Sequence, residues 1–355
     1  MKHRISVLFA LVMVLCVMTA CTKTSDKKET VSQKEKNNET TAATEEITEK
    51  LEDEYEPEEY NIAVLKGPTA VGFAKAWSDS EQNQTKNKYH VTAYATADEI
   101  TAGIAKGEID IAAVPCNLAS VLYNKTNKQI SVAAINTLSV LYMVSTQELE
   151  SIADLKGKTI YTTGQGTTPE YTLNYILTEN GLKVGEDVTI EYKSEAAEVA
   201  ALLSQDSSAV GMLPQPYATA VITKNPSMKI VLDMGEEWNK ISNTPVVTGV
   251  VIARNNVIDR NESGFEAFLE DYSNSVEYAK SNVEDVAAIL ADKGIFESAI
   301  ATKAIPYMNI AFITGEQMQV NVDTYLNVLY QANPKSVGGA VPDNKFYYFS
   351  EDLVG

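Results

Sequence analysis

Along the chain, apolar and polar positions fall into two series in which short buried-strand patterns alternate with helical ones. Residues 61–65 form an apolar run, Lys66-Gly67-Pro68-Thr69 breaks it, and residues 70–77 carry helical spacing. Residues 90–95 alternate as a strand, residues 98–106 read as a helix, and residues 109–114 are continuously apolar up to Pro115. The second series predicts strands over 159–162, 189–192, 209–213 and 229–233, with helices over 169–180, 195–204 and 216–224. Continuous apolar strands alternating with helices predict parallel sheets covered on both faces.

Two longer β-prone segments, 131–145 and 245–253, flank the second series, and each is long enough to leave one sheet and enter another. Helical spacing then returns over 261–281, 283–293 and 315–332. The expected architecture is a two-lobed α/β fold with a discontinuous lobe, 60–143 with 248–355, and an inserted lobe, 144–247. The two crossover segments would form a hinge, expected where 141–145 and 243–248 run side by side.

The first residues carry a different pattern. Lys2 and Arg4 precede an apolar run over 5–18, too short for a bilayer span of roughly 20 residues and read as a secretory leader. Met18-Thr19-Ala20-Cys21 resembles the lipobox of bacterial lipoproteins, so residues 1–21 are expected to be a signal peptide ending at a lipidated Cys21. Residues 22–59 hold thirteen acidic residues against six lysines, with no aromatic before Tyr55. Such a segment cannot bury enough apolar surface to order itself and reads as a disordered acidic tether.

Charge and residue usage exclude several classes. With 48 Asp plus Glu against 29 Lys plus Arg, a net of -19, the chain has no basic footprint for nucleic acid, and the membrane would be met only through the N-terminal lipid. Only His3 and His90 occur, and His3 lies in the leader, which leaves no His-based metal site. Neither a metal nor a cofactor is implied. Cys16 lies in the leader and Cys21 would carry lipid, so Cys116 would be the one free thiol and no internal disulfide forms.

The lipobox, the acidic tether, Lys66-Gly67-Pro68-Thr69, Gly107-Glu108-Ile109-Asp110-Ile111-Ala112, and Leu155-Lys156-Gly157-Lys158 followed by Gly164-Gln165-Gly166-Thr167-Thr168 carry a resemblance in that order. The chain resembles the substrate-binding lipoproteins of bacterial ABC importers, in the NitT/TauT or NMT1/THI5-like branch. That resemblance implies a periplasmic-binding-protein-like fold of type II, a monomer that closes on a small molecule and delivers it to an ABC permease outside the cytoplasm. It implies no catalytic residue. Two other readings stay open: a sensory or surface ligand-binding lipoprotein without transport, and a thiamine-pyrimidine-synthase-like enzyme on the same fold with Cys116 or His90 as the reactive group.

In open α/β sheets ligands sit beyond the carboxyl ends of the strands, where helix starts offer unpaired N–H groups. That rule selects Lys66 and Thr69 after the first strand, with Gln165, Gly166, Thr167 and Thr168 facing them from the inserted lobe. Thr167 and Glu170 have the spacing of a capping box. Asn117 follows Pro115, Gln215 and Tyr217 sit in a stiff Pro214-Gln215-Pro216-Tyr217 segment, Tyr142 lies on the first crossing, and Trp238 near the return is placed to stack on a ring. After the leader only Arg254 and Arg260 remain, so a guanidinium clamp for amino acids or dicarboxylates is scarcely available. A heteroaromatic, pyrimidine-like ligand or a sulfonate is favoured.

Cys21→Ser is expected to release the protein from the membrane fraction or leave its leader uncleaved. Fractionation and processing identical to the parent would contradict the lipobox reading.

Overall fold

The computed structural model describes residues 56–206 and 208–350. The leader, Cys21 and nearly all of the expected tether lie outside the described residues. Following the chain, β1 (Glu59–Leu65), β2 (Lys88–Tyr94), β3 (Ile111–Pro115) and β4 (Ile130–Thr137) are laid down first. Next come β5 (Leu141–Ser145), β6 (Thr159–Thr162), β7 (Thr189–Tyr192), β8 (Val210–Pro214) and β9 (Lys229–Asp233). The chain closes with β10 (Gly249–Arg254) and β11 (Ile310–Ile313).

These strands build two sheets, one ordered β11-β4-β10-β3-β1-β2 and the other β7-β6-β8-β5-β9. Each contains a parallel trio, β2-β1-β3 or β7-β6-β8. Beside each trio lies one antiparallel strand delivered from the other lobe: β10 pairs with β3 and β4, and β5 pairs with β8 and β9. The sheets are therefore mixed rather than parallel. The difference has a topological cause, since a chain that passes straight from one sheet into the next arrives running against the strands already there.

The first crossing is shorter than the β-prone pattern over 131–145 predicts. β4 ends at Thr137 and β5 begins at Leu141, so residues 138–140 alone pass between sheets. Leu141, Tyr142 and Met143 belong to the second sheet, not to the first lobe. The Thr248 N–H donates to the Thr137 carbonyl at 3.0 Å, which places the side-by-side passage at 137/248 rather than along 141–145.

Each helix packs where its apolar face dictates. The Glu262–Ser281 helix buries Phe265, Phe268, Leu269 and Tyr272 on the outer face of the first sheet. Ala196–Gln205 and Tyr217–Lys224 cover the corresponding face of the second. The Gly315–Ala332 helix is shared between them. Its Met318, Val322, Tyr325, Leu326 and Leu329 enter one apolar cluster with Val114 and Ile135 of the first sheet and with Met143, Ile160 and Met212 of the second. The region over 70–77 forms a 3-10 turn, Pro68–Phe73, before the α-helix Ala74–Glu81 starts, which corrects the expected single helix.

A core shared by both sheets should unfold as one unit. In proteins keeping only Trp77 or only Trp238, the fluorescence midpoint in urea is expected to coincide with the circular dichroism midpoint. Leu326→Ala should lower both midpoints together, by an amount corresponding to about 2–5 kcal/mol of stability. A fluorescence transition separated from the dichroism transition would contradict the shared core.

Candidate functional site

The carboxyl ends of β1, β3 and β4 approach those of β8 and β9 around the first crossing. Four side chains there are almost wholly buried, with exposures of 7% for Thr69, 0% for Thr137, 3% for Ser139 and 1% for Gln215. Among the described residues, Thr69 Oγ1, Thr137 Oγ1, Ser139 Oγ and Gln215 Nε2 have no hydrogen-bond partner, and neither has the neighbouring Asn136 Oδ1. A buried polar atom without a partner costs about 1–3 kcal/mol, so four around one short segment mark a place built for something other than stability.

Local chemistry explains how the four come together. The Asn136 amide donates to the Thr69 carbonyl at 3.1 Å, pinning the turn after β1 to the end of β4. Gly249 opens β10 beside them, where a Cβ would stand 2.5 Å from Asn136 Oδ1 and 2.6 Å from Thr69 Cγ2, so only glycine fits. The Gln215 N–H donates to the Val140 carbonyl at 2.9 Å, and Gln215 Oε1 accepts from the Thr219 hydroxyl at 2.8 Å, which leaves the amide nitrogen free. Ser139 lies against Gly235, and Asp233 Oδ1 accepts from the Gly235 N–H at 2.8 Å. Burial raises the Asp233 carboxyl above its ordinary range, an effect that the Gly235 and Glu236 N–H groups only oppose.

Contacts between the lobes flank this centre. The Tyr142 hydroxyl donates to the Tyr307 carbonyl at 2.7 Å, and the Asn309 amide donates to the Ser139 carbonyl at 2.7 Å. Burial, reinforced by Asp233, pushes the Tyr142 hydroxyl up, so it stays a neutral donor. On the other flank the Thr168 hydroxyl stands 3.5 Å from Asn117 Oδ1, and the Asn333 amide donates to the Tyr171 hydroxyl at 2.9 Å.

Of the residues selected from sequence, Thr69, Tyr142 and Gln215 gather around the first crossing, while Asn117 and Thr168 meet each other at the second flank. Gln165, Gly166 and Thr167 are exposed on the loop before the Thr168–Glu179 helix, and Lys66 and Tyr217 are exposed as well. Trp238 is fully buried: its indole N–H donates to the Thr244 carbonyl at 2.8 Å, and its ring lies between Tyr175 and Tyr325 at 4.6 and 5.7 Å. It is a core aromatic and offers no face to a ligand. The expected capping box also takes another form. Thr167 turns its hydroxyl back to the Gly164 carbonyl at 2.6 Å, and the Glu170 carboxylate accepts from the Gly166 N–H. That carboxylate engages the loop before the helix rather than the Thr167 hydroxyl.

Asn136, Thr137, Ser139 and Gly249 were not singled out by sequence. Their available signal was a polar run, Asn136-Thr137-Leu138-Ser139, closing an otherwise apolar strand. Among the described residues no group of three His, Cys, Asp or Glu could hold a metal ion, and no helix is long and apolar enough to cross a membrane. An uncharged groove of about 580 Å³ lies between the Thr168–Glu179 and Gly315–Ala332 helices, with Tyr171, Tyr175 and Val328 in its walls.

An ABC transporter structure from Parabacteroides distasonis is similar with a TM-score of 0.70 and 23% identity, covering 82% of this chain and 99% of that one. The periplasmic aliphatic sulphonate binding protein SsuA from Escherichia coli gives 0.67 and 16%, covering 84% and 95%. The periplasmic nitrate-binding protein NrtA from Synechocystis gives 0.54 and 13%, covering 79% and 84%. Likeness at this identity shows the fold, a two-lobed α/β architecture of the type II periplasmic-binding-protein kind. No curated protein matches in sequence. A family model described as menaquinone biosynthesis, VitK2_biosynth, matches residues 83–330, most of the folded chain, and the protein belongs to that family.

Proposed function

We propose that this protein is an extracytoplasmic solute-binding protein, anchored by lipid at Cys21, that takes up a small heteroaromatic or sulfonate-type molecule between its lobes and passes it to an ABC permease. The observation that carries this reading is the set of four buried, unpartnered polar side chains contributed by both lobes at the strand ends. Thr69 and Thr137 come from the first sheet and its turn, and Gln215 from the second, so neither lobe alone can satisfy a molecule held there. Closure would then be driven by contacts made only when both lobes engage. The names of the similar structures, an ABC transporter and binding proteins for sulphonate and nitrate, support the same reading.

The family's description, menaquinone biosynthesis, favours a second reading as an enzyme on this fold. The two candidate reactive groups do not support it. Burial drives the Cys116 thiol far above its ordinary range, with Asp323 adding to the effect, so no thiolate forms there. His90 sits on the exposed edge strand β2 with Glu59 at 3.2 Å, one strand beyond the trio's centre and near its amino end.

The test is a thermal-shift screen of pyrimidines, purines, aromatic acids and sulfonates, followed by mass spectrometry of what the protein holds. A ligand at 100 times its dissociation constant should add about 2.7 kcal/mol of stability. The molecule recovered after prolonged incubation is expected to be chemically unchanged. Recovery of a converted product would establish the enzyme reading in its place.

A further inference from the structure

The side-chain contacts that join the lobes away from the crossing assign a role to a residue outside the site. Resting on the reading of solute capture between lobes, we infer that Asn333, on the first lobe, is a positioning residue for the strand-end loop of the second. Through the Tyr171 hydroxyl it holds the Gly166 carbonyl, so the loop that carries Gln165, Gly166 and Thr167 is fixed only while the lobes are together.

On the second lobe, the loop between β6 and the Thr168–Glu179 helix turns at Gly164 and Gly166, with φ of 79° and 75°. Glycine permits that shape without enforcing it, so the loop depends on its ties. Thr167 and Glu170 supply two of them from within the lobe, to the Gly164 carbonyl and the Gly166 N–H. The Gly166 carbonyl is taken by the Tyr171 hydroxyl, which donates to it at 3.0 Å. Tyr171 is buried in the shared apolar cluster, so packing places its ring and the hydroxyl reaches the loop.

On the first lobe, Pro334 follows the Gly315–Ala332 helix, and Asn333 caps the 3-10 turn Pro334–Val337, its Oδ1 accepting from the Lys335 N–H at 3.1 Å. The Nδ2 group is left to cross between lobes, and it donates to the Tyr171 hydroxyl at 2.9 Å. The turn is fastened to the Cys116–Lys125 helix, where the Ser120 hydroxyl donates to the Val337 carbonyl at 2.7 Å and the Asn117 amide to the Ser336 carbonyl at 3.2 Å. Asn117 Oδ1 is also the atom that the Thr168 hydroxyl approaches to 3.5 Å. Two asparagines joined through one turn of the first lobe thus meet the start of a second-lobe helix.

A hydroxyl that accepts from an amide turns its own proton away from that donor, and the bond it then gives is strengthened. Asn333 therefore directs the Tyr171 proton toward the Gly166 carbonyl and acts on the loop without touching it. The two chain passages between the lobes are covalent and survive any hinge motion, whereas the Asn333–Tyr171 bond breaks when the lobes part.

Hydrogen–deuterium exchange on the ligand-free full chain tests the inference. Tyr171→Phe keeps the ring and removes the relay, while Asn333→Ser keeps a capping oxygen for the 3-10 turn but is too short to reach Tyr171. Each should speed exchange of the amides at 165–168 by about three- to tenfold, the factor that one net hydrogen bond supports. The double variant should exchange no faster than Tyr171→Phe alone, because both changes act through one hydroxyl. A merely structural role for Asn333 would instead speed exchange at 333–337 and leave 165–168 unaltered. That outcome, or effects of the two variants that multiply, overturns the inference while leaving solute capture standing.

Discussion

Two backbone hydrogen bonds at Thr248, its N–H to the Thr137 carbonyl and its carbonyl from the Cys116 N–H, hold the place where the chain leaves one sheet and where it returns. The candidate site is arranged around this knot. The outgoing passage delivers β5 against β8 and β9, and the returning one delivers β10 between β3 and β4. Each lobe is thus completed by a strand whose predecessor in the chain belongs to the other. The turn after β1, the start of the Cys116–Lys125 helix and the Gln215 segment are brought to the same few residues because their strands end beside these inserted ones.

The knot creates a tension between stability and binding. A shared apolar cluster, with the Gly315–Ala332 helix contributing to it from Met318 to Leu329, draws the two sheets together. At the crossing the same closeness dehydrates Thr69, Thr137, Ser139 and Gln215 without giving them partners. A protein selected only for stability would have apolar residues at these positions, since unpartnered polar groups are the costly alternative. Their presence is intelligible if a bound molecule supplies the missing hydrogen bonds, which would couple occupancy of the site to the closed arrangement.

How much of this was legible in the sequence depended on the range of the interaction. The second-series strands over 189–192 and 229–233 and the helix over 315–332 are decided by local periodicity, and they appear with the expected bounds. β11 is only four residues long and pairs far away along the chain, with β4, so no local pattern marked it. The 3-10 turn over Pro68–Phe73 has helical spacing, but packing of Ala70 and Phe73 beside the first sheet set its tighter winding. Around the crossing, the strand-end rule pointed to Thr69, and the proline-bounded segments pointed to Asn117 and Gln215. Neither could anticipate that Glu170 would turn back onto Gly166, or that Trp238 would be enclosed by Tyr175 and Tyr325, because both depend on contacts formed only in the assembled fold.

The most direct test of the account is hydrogen–deuterium exchange on the full chain with and without the solute returned by the thermal screen. Ligand bound at the crossing should protect amides simultaneously in three segments distant in sequence, 67–71, 136–142 and 213–219. Protection confined to the groove between the Thr168–Glu179 and Gly315–Ala332 helices, with exchange at the three segments unchanged, would place the binding site elsewhere and contradict it.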